Sequence, residues 1–241
     1  MSSAAQLERG LAALGIDLPA AARQRLLDYC ALLKKWNRVY NLTALRDDEQ
    51  MVSHHLLDSL AVLPHVSGES LADVGSGGGL PGIPLAIASP ERRVALIESS
   101  HKKASFLQQA RIELTLDNVV VHNVRVETWQ PGEPFDVVIS RAFSDLAEFV
   151  RQAQHLLGPG GRMLAMKGVY PHEELAQVPE PFVVGSVIGL RIPDVAAVRN
   201  LVVITRKGYT NFVKDFRRSQ PEGRSLQDDD QRQSRRRAVC C

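Results

Sequence analysis

Hydrophobic and polar positions follow two different rhythms along the chain, and the change comes near Ser67. Up to that residue apolar side chains recur every three or four positions, the spacing of helices that bury one face. This spacing predicts helices over residues 4–14, 19–35 and 47–63. Pro19 suits the first turn of the second helix, and Asp47 suits the N-cap of the third. We therefore expect residues 1–67 to form an N-terminal helical segment packed on the rest of the chain.

From about Glu69 to Lys207, short runs of Val, Ile and Leu replace the helical spacing. They predict seven strands, over residues 71–74, 94–98, 119–123, 135–140, 162–167, 182–192 and 200–207. Helical patterns at 83–88, 101–116 and 145–157 separate the early strands. This alternation, with almost uninterrupted apolar strands, predicts an α/β fold whose parallel sheet is buried on both faces. The last two runs have little helical pattern between them and predict a hairpin, which makes that edge of the sheet antiparallel.

The end of the sequence loses apolar periodicity from Gly208 onward. Residues 225–241, SLQDDDQRQSRRRAVCC, are polar, charged and low in complexity. Such a segment cannot bury enough apolar surface to order itself. We expect three parts: the helical segment 1–67, a core domain 68–207, and a disordered basic tail 208–241 without a specific role.

Composition narrows the class of protein without indicating a partner. The 241 residues are 44% hydrophobic, enough to bury one α/β core. No apolar run approaches the ~18 residues of a membrane span, and no secretory signal pattern opens the chain. The three cysteines lack metal-ligand spacing, so we expect no metal and a cytoplasmic location. The chain has 29 Lys/Arg and 27 Asp/Glu residues. From Gly208 onward there are eight Lys/Arg and five Asp/Glu residues, which leaves 21 and 22 before it, so the excess of basic residues lies in the tail.

The stretch DVGSGGGLPGIP, residues 73–84, holds five glycines and two prolines directly after the first predicted strand. A glycine-rich turn at this place lets backbone N–H groups approach a nucleotide without obstruction by Cβ atoms. Two patterns fit. Gly77, Gly79 and Gly82 match the dinucleotide fingerprint, with Glu98 at a suitable distance for a ribose. Gly75, Gly77 and Gly79 match the shorter turn of enzymes that use S-adenosylmethionine (SAM).

The position of the turn favours SAM over a nicotinamide dinucleotide. The first strand ends near Val74, so the first glycine of the turn should be Gly75. In the dinucleotide register Pro81 removes an N–H donor where the pyrophosphate should bind. SAM has no pyrophosphate and tolerates this loss. In either case Glu98, at the end of the second strand, is expected to accept hydrogen bonds from ribose hydroxyls. An NAD(P)-dependent oxidoreductase remains the alternative.

Six stretches of the sequence carry a resemblance to a known family. They are KKWNRVYNLTALRD (34–47), HHLLDSL (54–60), DVGSGGGLPGIPLAI (73–87), RVETW (125–129), FDVVISRAF (135–143) and MKG (166–168). From about Leu11 to Lys207 the chain resembles the RsmG (GidB) methyltransferases. The resemblance implies a class I, Rossmann-like methyltransferase fold with an N-terminal helical cap. It also implies transfer of a methyl group from SAM to N7 of a guanine in 16S rRNA of the 30S subunit.

The resemblance assigns cofactor-binding roles to residues of this chain. Val126 and Glu127 match positions beside the adenine, and Gly75 and Leu80 match the methionine and ribose side. With the motif residues, the expected SAM-binding set is Gly75, Gly77, Gly79, Leu80, Glu98, Val126, Glu127 and Arg141. The family often has proline where this chain has Gly78, which should loosen the turn slightly.

The sequence lacks the groups that some other methyl acceptors need. SRAF (140–143) stands after the fourth strand in place of an Asn/Asp-Pro-Pro-aromatic tetrad, and no cysteine ends a predicted strand. Guanine N7 has a lone pair and no proton to lose, so it needs alignment rather than a general base. We expect Arg141, Lys167, His55 and Asn41 to position the acceptor.

The remaining expectations concern aromatic residues, partners and a second alternative. We expect Trp36 and Tyr40 to pack the N-terminal helices on the sheet rather than to stack a base. The expected partner is 16S rRNA or the 30S subunit, without DNA or membrane, and the protein is expected to be a monomer. A binder of rRNA that only keeps the fold is the second alternative, although Glu98 and the glycine turn are intact.

Overall fold

The computed structural model describes residues 2–43, 45, 47–196 and 198–208, with the side chains of Asp48 and Glu49 left aside. The predicted tail therefore lies outside the described residues from position 209 onward. Residues up to 208 belong to one compact unit. No helix in the described ranges is long and apolar enough to cross a membrane.

The N-terminal segment is helical, as the sequence predicts, but its third helix is not regular. The elements are α1 (Ser3–Leu14), α2 (Ala20–Tyr40), α3 (Asp48–Met51), a π-helix (Val52–Leu57), α4 (Asp58–Leu60) and a 3₁₀ turn (Leu63–His65). The side chain of Ser2 caps α1, which ends at Gly15 in the left-handed conformation. The π-helix interrupts what we predicted as one helix over 47–63. Such segments are rare and occur frequently at functional sites.

The rest of the chain forms the predicted α/β sheet. Its elements are β1 (Ser70–Val74), α5 (Gly82–Ala88), β2 (Arg93–Ile97), α6 (His101–Glu113), β3 (Val119–His122), β4 (Phe135–Ser140), α7 (Leu146–Ala153), β5 (Leu157–Lys167), β6 (Phe182–Leu190) and β7 (Arg199–Arg206), with short 3₁₀ turns at Val126–Thr128, Gln154–Leu156 and Leu175–Gln177. The seven strands lie in the order β3-β2-β1-β4-β5-β7-β6. Strands β1 to β5 pair in parallel, and β7 runs antiparallel to both β5 and β6.

This order confirms the predicted fold class and the hairpin at its edge. The hairpin folds back so that its second strand, β7, lies between β5 and β6. Strand β5 begins at Leu157, five residues before the predicted start, because its first residue already pairs with Phe135. The order also reverses direction between β1 and β4, and ligands bind outside the carboxyl ends of strands at such a point.

Both faces of the sheet are covered, which explains the unbroken apolar strands. Along β4, Val137 and Ile139 join a core with the N-terminal helices, α5 and α6, whereas Val138 joins a second core with α7. All three side chains are fully buried. Alternate residues of a strand point to opposite faces, so every position of β4 after Asp136 is apolar or buried. The N-terminal segment therefore covers one face of the sheet and ends beside its switch point.

Candidate functional site

A cavity of about 570 Å³ opens at the carboxyl ends of β1, β4 and β5. The glycine turn after β1 lines one part of it, and residues of the N-terminal segment line another: Leu42, Thr43, Leu45, His54, His55 and Asp58. Three basic side chains line it, those of Arg141 after β4, Lys167 at the end of β5 and Arg199 at the start of β7. The site therefore joins the predicted cofactor turn to the N-terminal helical segment.

The glycine turn is held against β2 and presents bare backbone to the cavity. The N–H groups of Gly75 and Ser76 both donate to the carbonyl of Ile97, at 2.9 and 3.2 Å. Gly75 and Gly77 have φ values of 71° and 57°, which only glycine adopts readily. A Cβ atom on Gly77 would meet no atom closer than 3.8 Å, so this residue faces open space. The turn thus fits a ligand that approaches the backbone closely.

Glu98 lies behind the turn and holds it in place. Its Oε2 accepts a hydrogen bond from the N–H of Gly77 at 2.9 Å, and its Oε1 accepts one from Ser100 at 2.7 Å. We predicted that both carboxylate oxygens accept hydrogen bonds from ribose hydroxyls. In the structure each oxygen already accepts a hydrogen bond from a backbone N–H group. A carboxylate oxygen accepts more than one bond, so acceptance from a ribose remains compatible with these contacts. Asn123 also bridges this edge through its bonds to the carbonyls of Glu98 and Ser99, a role that the sequence did not indicate.

At the start of α5, the backbone N–H groups of Gly82 and Ile83 already have acceptors in the protein and are not free to bind a pyrophosphate. The N–H of Gly82 donates to Asp73 Oδ2 at 2.9 Å, and that of Ile83 donates to the carbonyl of Gly79 at 2.8 Å. Pro81 has no N–H to offer. Asp73 is fully buried, and burial raises the pKa of its carboxyl group to about 7. These donors are satisfied inside the protein, which agrees with our preference for SAM over a dinucleotide.

Two basic side chains of the cavity, those of Arg141 and Arg199, are held by one buried carboxylate, that of Asp58. Arg141 Nη1 donates to Asp58 Oδ2 at 3.0 Å and to the carbonyl of His54 at 3.3 Å. Arg199 Nε donates to Asp58 Oδ1 at 3.3 Å. One carboxylate thus faces two guanidinium groups, and the cluster keeps a net positive charge. The sequence did not indicate Arg199, because 141 positions separate it from Asp58 and only the fold of β7 brings them together.

His55 lies on the π-helix and holds the loop after α2. Its Nδ1 lies 3.1 Å from the carbonyl of His54, which can only accept, so Nδ1 carries the proton. Its Nε2 therefore accepts from the hydroxyl of Thr43 at 2.8 Å. Burial, together with the charge of Arg141, lowers the pKa of His55 from 6.5 to about 4. The imidazole is neutral at pH 7, and both its nitrogens are occupied.

We expect His55→Gln to change how stability depends on pH. Between pH 6.5 and 4 the unfolded chain takes up a proton at His55 that the folded chain does not, so the free energy of unfolding falls as the pH falls. The loss is up to about 3 kcal/mol over that interval. Glutamine does not titrate, so Tm of the variant should decrease less than that of the wild type between pH 6.5 and 4. His101→Gln, at an exposed histidine, is the control, and equal slopes for both variants would contradict the prediction.

Lys167 reaches the cavity, but its ammonium group has three acceptors in the protein. Nζ donates to the carbonyls of Ser144 and Phe143 at 2.6 and 3.3 Å, and to Glu174 Oε2 at 2.7 Å. Glu174 Oε2 also accepts from the N–H of Leu146 at the start of α7. We predicted that Lys167 positions the acceptor. The structure instead gives it the geometry of a residue that fixes the loop after β4.

Several other predicted site residues do not line this cavity. Asn41 ends α2 in the left-handed conformation with φ of 50° and is exposed. Gly79 packs towards Ile83. Val126 is buried in the turn after β3, and Glu127 forms an exposed ion pair with Arg125 at 3.9 Å. The predicted set is thus divided: Gly75, Gly77, Leu80, His55, Arg141 and Lys167 meet at the cavity, whereas Gly79, Glu98, Val126, Glu127 and Asn41 lie outside its lining.

Helix α2 contacts the glycine turn directly, which the sequence did not indicate. The hydroxyl of Tyr29 donates to the carbonyl of Gly78 at 2.5 Å. Tyr29 is fully buried, and burial raises the pKa of its phenol well above the usual range. Leu33, one turn later, would lie 3.2 Å from a Cβ atom at Gly78. The helical segment therefore supports the predicted cofactor turn from behind.

Solved structures share the fold of this chain at low sequence identity. An O-methyltransferase, TomG from Streptomyces achromogenes, in complex with SAM, aligns with a TM-score of 0.55 over 86% of this chain and 100% of its own, at 18% identity. The glycopeptide N-methyltransferase MtfA, complexed with S-adenosylhomocysteine, aligns with a TM-score of 0.56 over 63% and 87%, at 10% identity. These similarities confirm the class I methyltransferase fold.

Relatives match over most of the chain at much higher identity. The ribosomal RNA small subunit methyltransferase G of Nitrosospira multiformis is 57% identical over 86% of this chain and 100% of its own length. The protein of the same name from Aromatoleum aromaticum is 58% identical over 85% and 99%. The profile of the GidB family, described as rRNA small subunit methyltransferase G, matches residues 22–202. The chain therefore belongs to the rRNA small subunit methyltransferase G (GidB) family, as the sequence motifs predict.

Proposed function

We propose that this protein transfers a methyl group from SAM to N7 of a guanine in 16S rRNA. One observation supports this acceptor most: the chain belongs to the GidB family, and its cavity presents the cations of Arg141, Lys167 and Arg199. Both nitrogens of His55 are occupied, and Asp58 is paired with two arginines. His54 also lines the cavity, with its Nδ1 hydrogen-bonded to the hydroxyl of Ser53. Guanine N7 has a lone pair and no proton to lose, so this acceptor requires none of these groups as a base.

We assign the cofactor to the glycine turn and the neighbouring strand ends. Gly75, Gly77 and Leu80 line the cavity, Glu98 holds the turn, and Val126, Glu127 and Arg141 follow the next strands of the sheet. The fit rests on the open side of Gly77, where a side chain would occupy the cavity. Bound there, SAM supplies an electrophilic methyl group on a sulfonium centre. Gly79 shapes the turn through its packing on Ile83 rather than through contact.

The acceptor enters between the glycine turn and the N-terminal segment. Arg141 and Arg199 are held by Asp58 with other guanidinium N–H groups left for ligand acceptors, and these suit the phosphate of a nucleotide. Methylation at N7 gives the base a positive charge, which the arginine pair repels unless an RNA phosphate balances it. His55 and Lys167 act as positioning residues for the loops on either side, and Asn41 ends the helix that precedes one of them.

The substrate must expose a single unstacked guanine, which costs least in an RNA loop. We propose 16S rRNA or the 30S subunit as the partner, a monomeric enzyme, and the cytoplasm as its location. We further propose that residues 1–67 act as a helical cap on the core 68–207. Neither DNA nor a membrane is part of this proposal, and the intact glycine turn and Glu98 argue against a binder without activity.

The decisive experiment measures methyl incorporation from labelled SAM. The full chain is incubated with protein-free 16S rRNA, with 30S subunits and with 70S ribosomes, and the position of label is mapped by cleavage at N7-methylguanine. We expect label at one guanine of 16S rRNA. If SAM binds but none of the three substrates acquires label, the protein is a binder. Saturable NADH binding without SAM binding would instead favour the oxidoreductase alternative.

Glu98→Ala should weaken SAM binding by about 1–3 kcal/mol, because it removes a charge-assisted acceptor and frees the N–H of Gly77. Isothermal titration with SAM measures the effect. Glu133→Ala is a suitable control, since Glu133 makes only an exposed ion pair with Arg93. Equal SAM affinity for the Glu98 variant and the wild type would place the ribose elsewhere.

A further inference from the structure

Tyr40, the last residue of α2, presents an aromatic face to solvent at the edge of the site. We predicted that Trp36 and Tyr40 both pack the helices on the sheet. Trp36 does so: its ring lies 5.6 Å from that of the fully buried Phe106. The ring of Tyr40 stacks on the outer side of Trp36, with 5.2 Å between the ring centroids and an interplanar angle of 29°. Tyr40 remains 43% exposed. One face of the Tyr40 ring is thus supported, and the other is available.

A shallow cleft of about 400 Å³ lies beside this ring. It is lined by Lys35, Trp36, Val39 and Tyr40 of α2 and by Gln109 and Glu113 of α6. Its volume lies in the range of ~300–1,000 Å³ that is usual for sites of small ligands. Gln109 Nε2 donates to Glu113 Oε1 at 2.7 Å, so a polar pair faces the aromatic rings across the cleft.

The charges around the cleft suit a nucleic acid strand. Lys35 lines it, and Arg38 is exposed one turn further along α2. Aromatic faces bordered by basic side chains are the pattern by which proteins bind single-stranded nucleic acid. Glu113 opposes a phosphate but can accept a hydrogen bond from an exocyclic amine of a base. A base bound in the cleft with its phosphate outside would keep the phosphate away from Glu113 and would bring the exocyclic amine to it.

The chain that lines the cleft leads within two residues to the proposed active site. Leu42, two residues after Tyr40, lines the main cavity, and its carbonyl would lie 3.9 Å from a Cβ atom at Gly78. Two residues of chain span at most about 7 Å. That is about two rises of a stacked strand, at about 3.4 Å each. A base on Tyr40 would therefore be separated from a guanine in the cavity by one or two nucleotides.

We propose that Tyr40, supported by Trp36 and Phe106, stacks an unpaired base of the substrate RNA one or two nucleotides from the methylated guanine. This inference rests on the proposed function, because it takes the cavity as the acceptor site. Its physical role is to hold the strand open beside the flipped base. Stacking is tolerant of sequence, so Tyr40 contributes affinity and register rather than recognition of a particular base.

The test uses the fluorescence of Trp36 as a reporter of binding. The chain has two tryptophans, so a full-length protein with Trp129→Phe reports from Trp36 alone. Titration with an unpaired oligoadenylate should quench its emission saturably. Tyr40→Leu in this background should weaken binding by about tenfold, whereas Tyr40→Phe should stay within about twofold. Ile112→Ala, at a 60% exposed residue of α6 outside the cleft, is the matched control.

The inference would be overturned if the Tyr40→Leu and Tyr40→Phe proteins bound the oligoadenylate with equal affinity. It would also be overturned if the emission of Trp36 decreased with protein concentration alone, in the absence of RNA. Methyl incorporation separates this inference from the proposed function. A raised KM for 16S rRNA with unchanged kcat and SAM affinity in Tyr40→Leu supports the stacking role. If the wild type methylates rRNA and Tyr40→Leu has the same KM, the stacking inference fails alone. Binding that depends on Tyr40 in a protein without methyl transfer supports stacking on Tyr40 but rejects the proposed function, and with it the placement beside a methylated guanine.

Discussion

Asp58→Ala should lower kcat/KM for methyl transfer to 16S rRNA on the order of 100-fold, because two charge-assisted hydrogen bonds disappear together. Arg141 and Arg199 each lose their carboxylate partner, and both guanidinium groups then lie in a partly buried site without it. Their mutual repulsion moves them out of position for the acceptor. SAM affinity should fall less than kcat/KM, since Asp58 itself contacts neither the glycine turn nor Glu98 and reaches the proposed cofactor site only through Arg141.

Steady-state kinetics on rRNA, with titration of SAM on the same preparations, measures this difference. Asp58→Asn gives an intermediate case, because its amide offers one acceptor oxygen where the carboxylate offers two. Glu133→Ala is the control for the loss of an exposed acid. If SAM affinity fell as much as kcat/KM, Asp58 would be supporting the cofactor site rather than the acceptor site.

Gly79→Ala should lower the free energy of unfolding by about 2–4 kcal/mol, the sum of a left-handed backbone and an overpacked side chain. Gly79 has φ of 88°, and a Cβ atom there would lie 2.5 Å from Cδ1 of Ile83. Because both effects distort the turn that carries Gly77, SAM binding should weaken by at least about tenfold. Thermal unfolding with and without SAM measures both quantities.

Gly78→Ala is the matched control for this prediction. Gly78 lacks a left-handed φ, and its added Cβ would approach the flexible end of Leu33 at 3.2 Å and the carbonyl of Leu42 at 3.9 Å, an ordinary van der Waals distance. We expect a loss below about 1 kcal/mol. A Gly79→Ala protein as stable as Gly78→Ala, with the affinity of the wild type for SAM, would show that the turn has a different backbone conformation.

Most of the fold could be predicted because, in each segment, the spacing of apolar residues and the amino-acid composition indicate the same kind of element. The seven apolar runs, the helices between them and the hairpin at the edge all appear in the structure. The π-helix at Val52–Leu57 could not be predicted, because its side chains follow an ordinary helical pattern. Its wider turn depends on local hydrogen bonding and on packing against other elements. Strand β5 was predicted short because its first residues, from Leu157 to Gly161, include three glycines and a proline.

The site could be predicted only where the chain itself carries a pattern. The glycine turn, Glu98 and Arg141 follow strand ends, and the topology alone brings the carboxyl ends of parallel strands together. Asp58 and Arg199 meet across 141 positions, and no local signal links them. For Lys167 and His55 the sequence placed the residues near the cavity, but it could not show that their polar atoms already have partners in the protein.

The bond from Tyr29 to the carbonyl of Gly78 has a consequence for how this chain can be divided. Residues 1–67 look separable from the catalytic sheet by sequence pattern, yet helix α2 supplies part of the support for the turn that would hold the methyl donor. A shortened enzyme that begins at β1 would expose the surface of the glycine turn that faces Leu33, and it would lose the support that α2 gives to this turn. Transplanting this helical segment onto another methyltransferase would likewise require a turn that matches Tyr29, so the two parts are best exchanged as a pair.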